Sequence, residues 1–340
     1  MNMYSGYEYS TTRVKGMKSK LLTEGKLREL LEVKSIPEMI QLLEESEYRE
    51  DFIAMSTKYS GMELVMRALH NNFKSSLQKL VQINPEEGKI ALRILLQEYE
   101  IQNINTIIAA KATETPISDT DLLVLEKNEA KLVEKLLALN SVQDVVKKLR
   151  STEYSAAIKK ADKEFEKQQD FRVYGRALNG YYFEKLQGLP RGSNELLWKL
   201  IDLRNGVRTI MIILRIKKSA PEEDVRKYLI DRNDKFGLEL SKMTDFEKIM
   251  ERVAQKKPEL ASAVKQCHEE NSLIPLEIGL EREFVKKVLR LLKLAVLDFA
   301  VVLGYLYLKE LEVSAIRKIA YAKQYDFTDE LKGMVFSFNA

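Results

Sequence analysis

The chain has 340 residues, of which only 14 are Gly and 7 are Pro while 45% are hydrophobic. That Gly and Pro share is about half the usual one, which favours helices and counts against β-sandwiches, collagen-like chains and disordered linkers, and the length allows two or three domains or one repeat-built unit. Lys and Arg number 55 against 51 Asp and Glu, a net charge of +4 spread along the chain without the basic concentration of a nucleic-acid binder, and the single Cys267 excludes an intrachain disulfide and fits a reducing cytoplasm.

Residues 1–20 carry Tyr, Ser, Thr and scattered charge without an apolar stretch, so no secretory signal is expected. Arg13, Lys15 and Lys18, followed by Lys20, form a basic helix face beside the aromatic cluster Tyr4, Tyr7 and Tyr9. Aromatic residues are enriched at interfaces, so these cations are candidate partner contacts; the alternative is a packed helix whose lysine stems cover apolar surface. Ser35 to Tyr48 opens with an N-cap serine and an acid three positions on, and its apolar residues Ile36, Met39, Ile40 and Leu43 follow a helical stripe.

Asn84-Pro85 marks a helix break, with Pro85 suited to a first turn, and Glu100 and Asn103 share one helix face. Ala112 to Thr120 is a polar, Pro-containing connection. Ser141 to Tyr154 then repeats Ser35 to Tyr48 without a gap at an offset of 106, with Val142, Val145, Val146 and Leu149 on the stripe. Gly188 to Asn194 is another break. Asp202 and Asn205 repeat Glu100 and Asn103, with an extra Gly206 that puts the next aliphatic residues one position out of step. The run Ile210 to Ile216 looks strand-like, but it continues a helical pattern from Leu196 and is assigned to helix.

Lys218 to Asp224 is a second polar connection. The stripe returns faintly at Phe246, Ile249, Met250 and Val253, where Thr244 and Glu247 would make a capping box one residue out of phase. Leu291 to Leu308 has the length of a membrane span but contains Lys293 and Asp298, which makes a buried helix of a large core the better reading. Glu312 and Ala315 are the third copy of the acid-amide element. The aliphatic runs after the three copies close on Lys111, Arg215 and Lys323.

Two independent elements thus recur at nearly the same period, which divides the chain into three helical units, 1–112, 113–219 and 220–340. Glu100, Asn103, Asp202, Asn205 and Glu312 are candidate inter-unit structural residues: buried in a helical core, such groups need partners across a unit boundary or on a neighbouring backbone, and otherwise they cap helix ends.

Reactive chemistry is hard to find. The glycines form neither a phosphate-binding loop nor a dinucleotide fingerprint, and no serine nucleophile elbow exists. Cys267 and His268 lack further ligands at metal-site spacing, and Asp231 to Gly237 departs from a calcium loop at its Gly position and at its twelfth residue, Lys242. His70 reads as a helix-surface residue. Asp119 and Asp121 sit in a connection, where solvation or capping is the ordinary role. No catalytic, cofactor-binding or metal residue is expected.

The stretch Tyr7-Glu-Tyr-Ser-Thr-Thr-Arg-Val-Lys-Gly-Met-Lys-Ser-Lys-Leu-Leu22, the acid-amide elements with their aliphatic-basic tails, and three units over this length resemble the C subunit of archaeal A-type ATP synthases and bacterial V-type ATPases, related to the d subunit of the vacuolar enzyme. Thr11-Thr12, where the family would have small residues, is a departure. The resemblance implies an all-α, funnel-shaped protein of three similar helical units around a pseudo-threefold axis. It implies a non-catalytic rotor subunit without cofactors, one copy per complex, peripheral on the cytoplasmic side of the membrane. There it would couple the proteolipid ring to the central stalk D and F subunits, transmit torque, touch the membrane only through the ring and bind no nucleic acid. The alternatives are a helical-repeat adaptor for other proteins and a helical metal-dependent enzyme.

Overall fold

A computed structural model describes residues 6–190, 195–229, 234–295, 297–326, 331 and 338. Among them there is no strand. The chain opens with α1 (Glu8–Lys18), then runs through α2 (Glu24–Glu32), α3 (Ile36–Glu44), α4 (Arg49–Ser56), α5 (Gly61–Ile83) and α6 (Glu86–Thr113). There follow α7 (Lys127–Leu137), α8 (Val142–Leu149), α9 (Ser155–Gln168), α10 (Arg172–Gln187) and α11 (Glu195–Ser219). The last run has α12 (Lys235–Ser241), α13 (Phe246–Lys256), α14 (Ala261–Glu270), α15 (Ile274–Leu294) and α16 (Ala300–Tyr325), with 3₁₀ turns at Val225–Tyr228 and Pro258–Leu260. After α1, therefore, three shorter helices followed by two longer ones occur three times over among the described residues.

The helix starts follow from local demand for hydrogen bonds. The first amides of a helix have no partner within it, and a side-chain oxygen just before the helix can accept from them. Ser35 Oγ accepts from Glu38 N at 3.4 Å and donates to Glu38 Oε1 at 3.0 Å; Ser141 Oγ accepts from Asp144 N at 3.1 Å. In the third copy the expected Thr244 box is replaced: Asp245 Oδ1 accepts from Glu247 N at 3.0 Å and Lys248 N at 3.2 Å. The cap thus falls in phase with Ser35 and Ser141, directly before the first apolar stripe residue. An aspartate carboxylate reaches those amides as well as a hydroxyl does.

The chain divides into two compact units, one comprising Met1–Phe73 with Arg191–Ala340 and the other Lys74–Pro190. In the second, α6 packs on α7, α8 and α10, and α10 on α9. In the first, α11 packs on α12, α13 and α15, while α16 packs on α1, α2 and α3 as well as on α11 and α15. The last long helix of each run is thus the one that the next run packs on, and after the third run the next is the first. Each of these helices needs apolar residues on more than one side, as the fully buried Leu92, Ile104 and Ile107 of α6 and Leu303, Leu308 and Ile316 of α16 illustrate.

The apolar stretch at Leu291 to Leu308 is not one helix. The helix α15 ends at Leu294, α16 begins at Ala300, and Asp298 Oδ1 accepts from Ala300 N at 2.7 Å. The two charges that count against a span stand at the ends of helices: exposed Lys293 in the last turn of α15, and Asp298 before α16. Both signs suit the helix dipole. No helix among the described residues is long and apolar enough to cross a membrane. The two helices then lie so close that a Cβ on Gly304 would come within 2.5 Å of Leu292 Cδ2, which is why that position holds glycine.

Candidate functional site

In the first unit the third acid of the repeated element, Glu312 on α16, is fully buried and accepts three hydrogen bonds. Leu22 N donates to Glu312 Oε2 at 2.5 Å, Tyr48 Oη to Oε1 at 2.5 Å, and Lys309 Nζ to Oε1 at 2.8 Å. Lys309, one helical turn before Glu312, is also fully buried and donates further to Glu47 Oε1 at 2.5 Å and Tyr48 Oη at 2.9 Å. Burial opposes the lysine charge, but Glu312, Tyr48 and Glu47 overcome it and hold the ammonium well above its ordinary range. Burial and the Glu312 charge likewise keep the Tyr48 phenol protonated. A buried ion pair with its remaining hydrogen-bond positions filled is rigid, since losing either partner strands a charge.

The second unit has a related arrangement around Glu100 on α6. Tyr154, which ends the repeated Ser141 segment as Tyr48 ends the Ser35 segment, hydrogen-bonds Glu100, and Gln97 Nε2 donates to Tyr154 Oη at 3.3 Å. Gln97 stands one turn before Glu100, as Lys309 stands before Glu312. No ammonium is supplied there by α6. Burial, with Glu129 and Glu153 adding like charge against the opposing Tyr154 bond, pushes the Glu100 carboxyl up to about 7. Asn103, one turn further on, is buried and holds a backbone segment from both sides: its Nδ2 donates to Leu123 O at 2.9 Å and to Glu129 Oε1 at 2.8 Å, and its Oδ1 accepts from Leu123 N at 2.8 Å. Glu129 Oε2 accepts in turn from Leu125 N at 2.8 Å and Glu126 N at 3.3 Å.

The middle copy differs. Asp202 on α11 is exposed and Asn205 is half-buried, its Nδ2 without a hydrogen-bond partner. The residue at the place of Tyr48 and Tyr154 is Pro258, which has no hydroxyl, and the residue at the place of Glu47 and Glu153 is Lys257. Asp202, Lys257 and Lys199 line a groove of about 440 Å³ in the first unit. Two of the three aliphatic-basic tails also have a structural counterpart, while Arg215 instead donates to Glu277 Oε2 at 2.5 Å. Lys111 Nζ donates to Leu137 O at 3.0 Å, at the end of α7, and Lys323 Nζ to Leu31 O at 3.0 Å and to Val33 O, at the end of α2. A cation suits carbonyls left open at a helix C-terminus.

On α1, Ser10, Thr11 and Val14 face inward while Arg13 and Lys15 are exposed and Lys18 is half-buried. Burial and the nearby Lys293 lower the Lys18 ammonium. The aromatic cluster divides: Tyr7 is buried with its ring centroid 5.9 Å from that of Phe299, Tyr9 is 63% exposed, and Tyr4 lies outside the described residues. Buried Thr11 donates its hydroxyl to Tyr7 O at 2.7 Å, so a polar side chain is accommodated where a small one was expected.

Among the described residues no three or more His, Cys, Asp or Glu side chains gather as metal ligands would. Cys267 is buried in the core between α11, α13, α14 and α15, and His268 Nδ1 lies 2.6 Å from Glu247 Oε2 at the surface. Asp234 caps α12 by accepting from Phe236 N and Gly237 N, both at 3.0 Å, while residues 231–233 of the calcium-loop-like stretch lie outside the described residues. His70 sits within α5.

What these clusters do is hold helices together. A family model described as the ATP synthase (C/AC39) subunit matches residues 10–333. The chain belongs to that family. The C/AC39 subunit is a structural rather than a catalytic part of a multisubunit ATP synthase. Among curated relatives, the C subunit of the A-type ATP synthase of Methanosarcina mazei is 26% identical over 335 residues, covering 96% of this chain and 91% of the relative. That of Pyrococcus horikoshii is 25% identical over 330 residues, covering 93% and 86%, and that of Haloquadratum walsbyi 25% over 340 residues, covering 96% of each. C/AC39 membership accounts for a chain whose buried polar groups are spent on packing, and the residues that sequence reasoning passed over there are Tyr48, Tyr154, Lys309 and Gln97. The tyrosines did leave a signal, as the shared last residue of the two strong copies. Lys309 and Gln97 become visible only when the position three before each repeated acid is compared.

Proposed function

We propose that this C/AC39 subunit is the rotor adaptor of its ATP synthase, seated at the cytoplasmic side of the membrane, gripping the proteolipid ring on one side and the foot of the D and F stalk on the other, and passing torque between them. Such an adaptor must neither shear nor unwind. The observation that carries the reading is the Lys309–Glu312–Tyr48–Glu47 cluster, in which the fully buried Lys309–Glu312 pair of the last long helix is fastened to Tyr48 and half-buried Glu47 between α3 and α4. The three helical units, 1–112, 113–219 and 220–340, are proposed as the repeats that meet at such joints, with Glu100, Asn103 and Glu312 as inter-unit fasteners and Asp202 and Asn205 as the copy that has lost its tyrosine partner. Arg13, Lys15 and Lys18 are proposed as partner contacts, because an exposed cation beside the exposed ring of Tyr9 offers charge and apolar area together.

Co-purification tests the reading. The tagged chain, mixed with detergent-solubilised proteolipid ring and with D–F stalk, should retain both, singly and together, and the attachment should weaken as salt is raised. Failure to retain either one removes the adaptor role and leaves the helical-repeat scaffold for other protein partners.

A further inference from the structure

The joint at α11, within the first unit, keeps one half of the arrangement seen at α16 and lacks the other. Lys199 and Asp202 stand one turn apart on α11, as Lys309 and Glu312 stand on α16. At α16 the pair is satisfied by Tyr48 and Glu47. The phenol donates to Glu312 Oε1 at 2.5 Å, and Lys309 Nζ donates to the phenol at 2.9 Å and to Glu47 Oε1 at 2.5 Å. At the corresponding places of the third run the chain has Pro258 and Lys257. Asp202 is exposed, and Lys199, also exposed, pairs with Glu195 at 2.6 Å.

The joint is open where the other is filled. The groove of about 440 Å³ lies between α11, α15 and the 3₁₀ turn at Pro258–Leu260, and its apolar wall includes Leu203, Val207, Phe284 and Leu291. Gly206, the extra residue after Asn205, lines it too, and a Cβ there would meet nothing within 4 Å. The charges around this space are unbalanced. Of the lining acids, Glu259 is engaged by Lys287 at 3.0 Å and Glu283 by Lys286 at 2.8 Å. Lys257 and Arg290 also line the groove, and their side chains make no hydrogen bond or ion pair among the described residues. Burial and the neighbouring Lys287 lower the half-buried Lys257 ammonium, against the weaker pull of Glu259 and Asp234. A carboxylate beside Lys257 offsets that burial with a charge-assisted hydrogen bond, and the adjoining apolar wall suits a ring attached close to the carboxylate.

We propose that the groove between α11 and α15 is a docking surface for a peptide segment of a neighbouring protein in which a carboxylate side chain is followed directly by an aromatic one. The carboxylate pairs with Lys257, with Arg290 at the rim, and the ring lies along Leu203, Val207 and Leu291. A tyrosine in that place donates its hydroxyl to Asp202 as Tyr48 donates to Glu312. The segment thus supplies from outside what Glu47 and Tyr48 supply from within at α16, and the lysine at 257 receives an acid where the first joint has one of its own. No covalent step is involved.

The test is an NMR titration of the full chain, labelled at its Leu and Val methyl groups, with N-acetyl-Ser-Glu-Tyr amide, the sequence of residues 46–48. The expected result is saturable binding in the millimolar range at one site, with shifts at Leu203, Val207 and Leu291. The same peptide with Gln for its Glu, or with Ala for its Tyr, should bind severalfold more weakly. Lys257→Glu should invert the charge preference, so that N-acetyl-Ser-Lys-Tyr amide binds better than the acidic peptide. Gly206→Met fills the groove from α11 and removes a glycine from a helix interior, so it should abolish binding without lowering the melting temperature. None of these readouts uses the ring or the stalk, so their failure and that of the rotor reading are distinguishable. Absence of saturable shifts, shifts confined to other methyl groups, equal binding of the uncharged peptide, an unchanged preference in folded Lys257→Glu, or full affinity in Gly206→Met overturns the proposal.

Discussion

Tyr48 and Glu312 lie 264 positions apart in the chain, and the phenol donates a 2.5 Å hydrogen bond to the carboxylate. With Lys309 completing the contact, α16 cannot move relative to the start of the chain without exposing or stranding a charge. The stabilisation belongs to the whole group, because each member satisfies another.

That coupling predicts an order of losses. Lys309→Met leaves Glu312 buried without its cation and should lower the unfolding free energy by about 3–5 kcal/mol, whereas Lys309→Met combined with Glu312→Gln removes both charges and should cost clearly less than the single change. Tyr48→Phe should cost about 1–2 kcal/mol. Denaturant titrations of the four proteins check this, and a double variant that loses as much as Lys309→Met alone, or more, would contradict the coupling.

Glu100 gives the second unit a pH dependence of known sign. Its carboxyl is held at about 7 in the folded chain, against about 4.3 when unfolded. Between those values the folded state keeps a proton that the unfolded state has lost, so the contribution is intact below the unfolded value and is lost as pH rises through about 7, by about 3–4 kcal/mol in all. Glu100→Gln cannot lose it. Its melting temperature should therefore exceed that of the unmodified chain by more at pH 8 than at pH 5, and an equal difference at both would show that Glu100 ionises normally.

Asn103 holds Leu123 by both its amide and its carbonyl and gives Glu129 a donor. Asn103→Ala should cost about 1–3 kcal/mol by leaving these groups unsatisfied. Hydrogen exchange should quicken at Leu123 and at Leu125, whose amide depends on Glu129. Unchanged protection there would mean that the connection is held by its other contacts.

At the third copy the cap is Asp245 and not Thr244. Asp245→Ala should therefore destabilise by about 1 kcal/mol, with Thr244→Ala close to neutral. Thermal melts of the two variants distinguish them, and the reverse order would return the cap to the threonine.

Alanine at Arg13, Lys15 and Lys18 together should weaken retention by the ring or the D–F stalk severalfold with little change in the melting temperature, since Arg13 and Lys15 are exposed and surface charges contribute little to folding. Co-purification beside a thermal melt separates lost contact from lost fold. Unchanged retention would take α1 out of the interface.

Much of the helical framework was legible in advance because helix starts depend on near neighbours. Ser35 and Ser141 need only reach amides three residues away, and the apolar stripes of α3 and α8 repeat at the spacing that puts them on one face. The same locality explains why Asp245 was missed: a hydroxyl, an acid and a stripe offered two neighbouring cap positions, and contact with the actual amides decides between them. The break between Leu294 and Ala300 was harder still, since Lys293 and Asp298 in an otherwise apolar run read as charges within one helix as readily as a dipole partner and a cap at the ends of two.

By itself the sequence determined that the chain is helical, where α3, α6 and α8 begin, that its acid-amide elements recur, and which family it resembles. Only the tertiary structure decided that Glu312 would take Tyr48 and Lys309, that Glu100 would take Tyr154 and Gln97, and that the two joints would differ by one internal ammonium. Caps and stripes act over one or two turns and so are written where they work. The partner of a buried charge is chosen by which groups packing brings within about 3 Å after burial has removed water as the alternative, and residues hundreds of positions apart compete for that place.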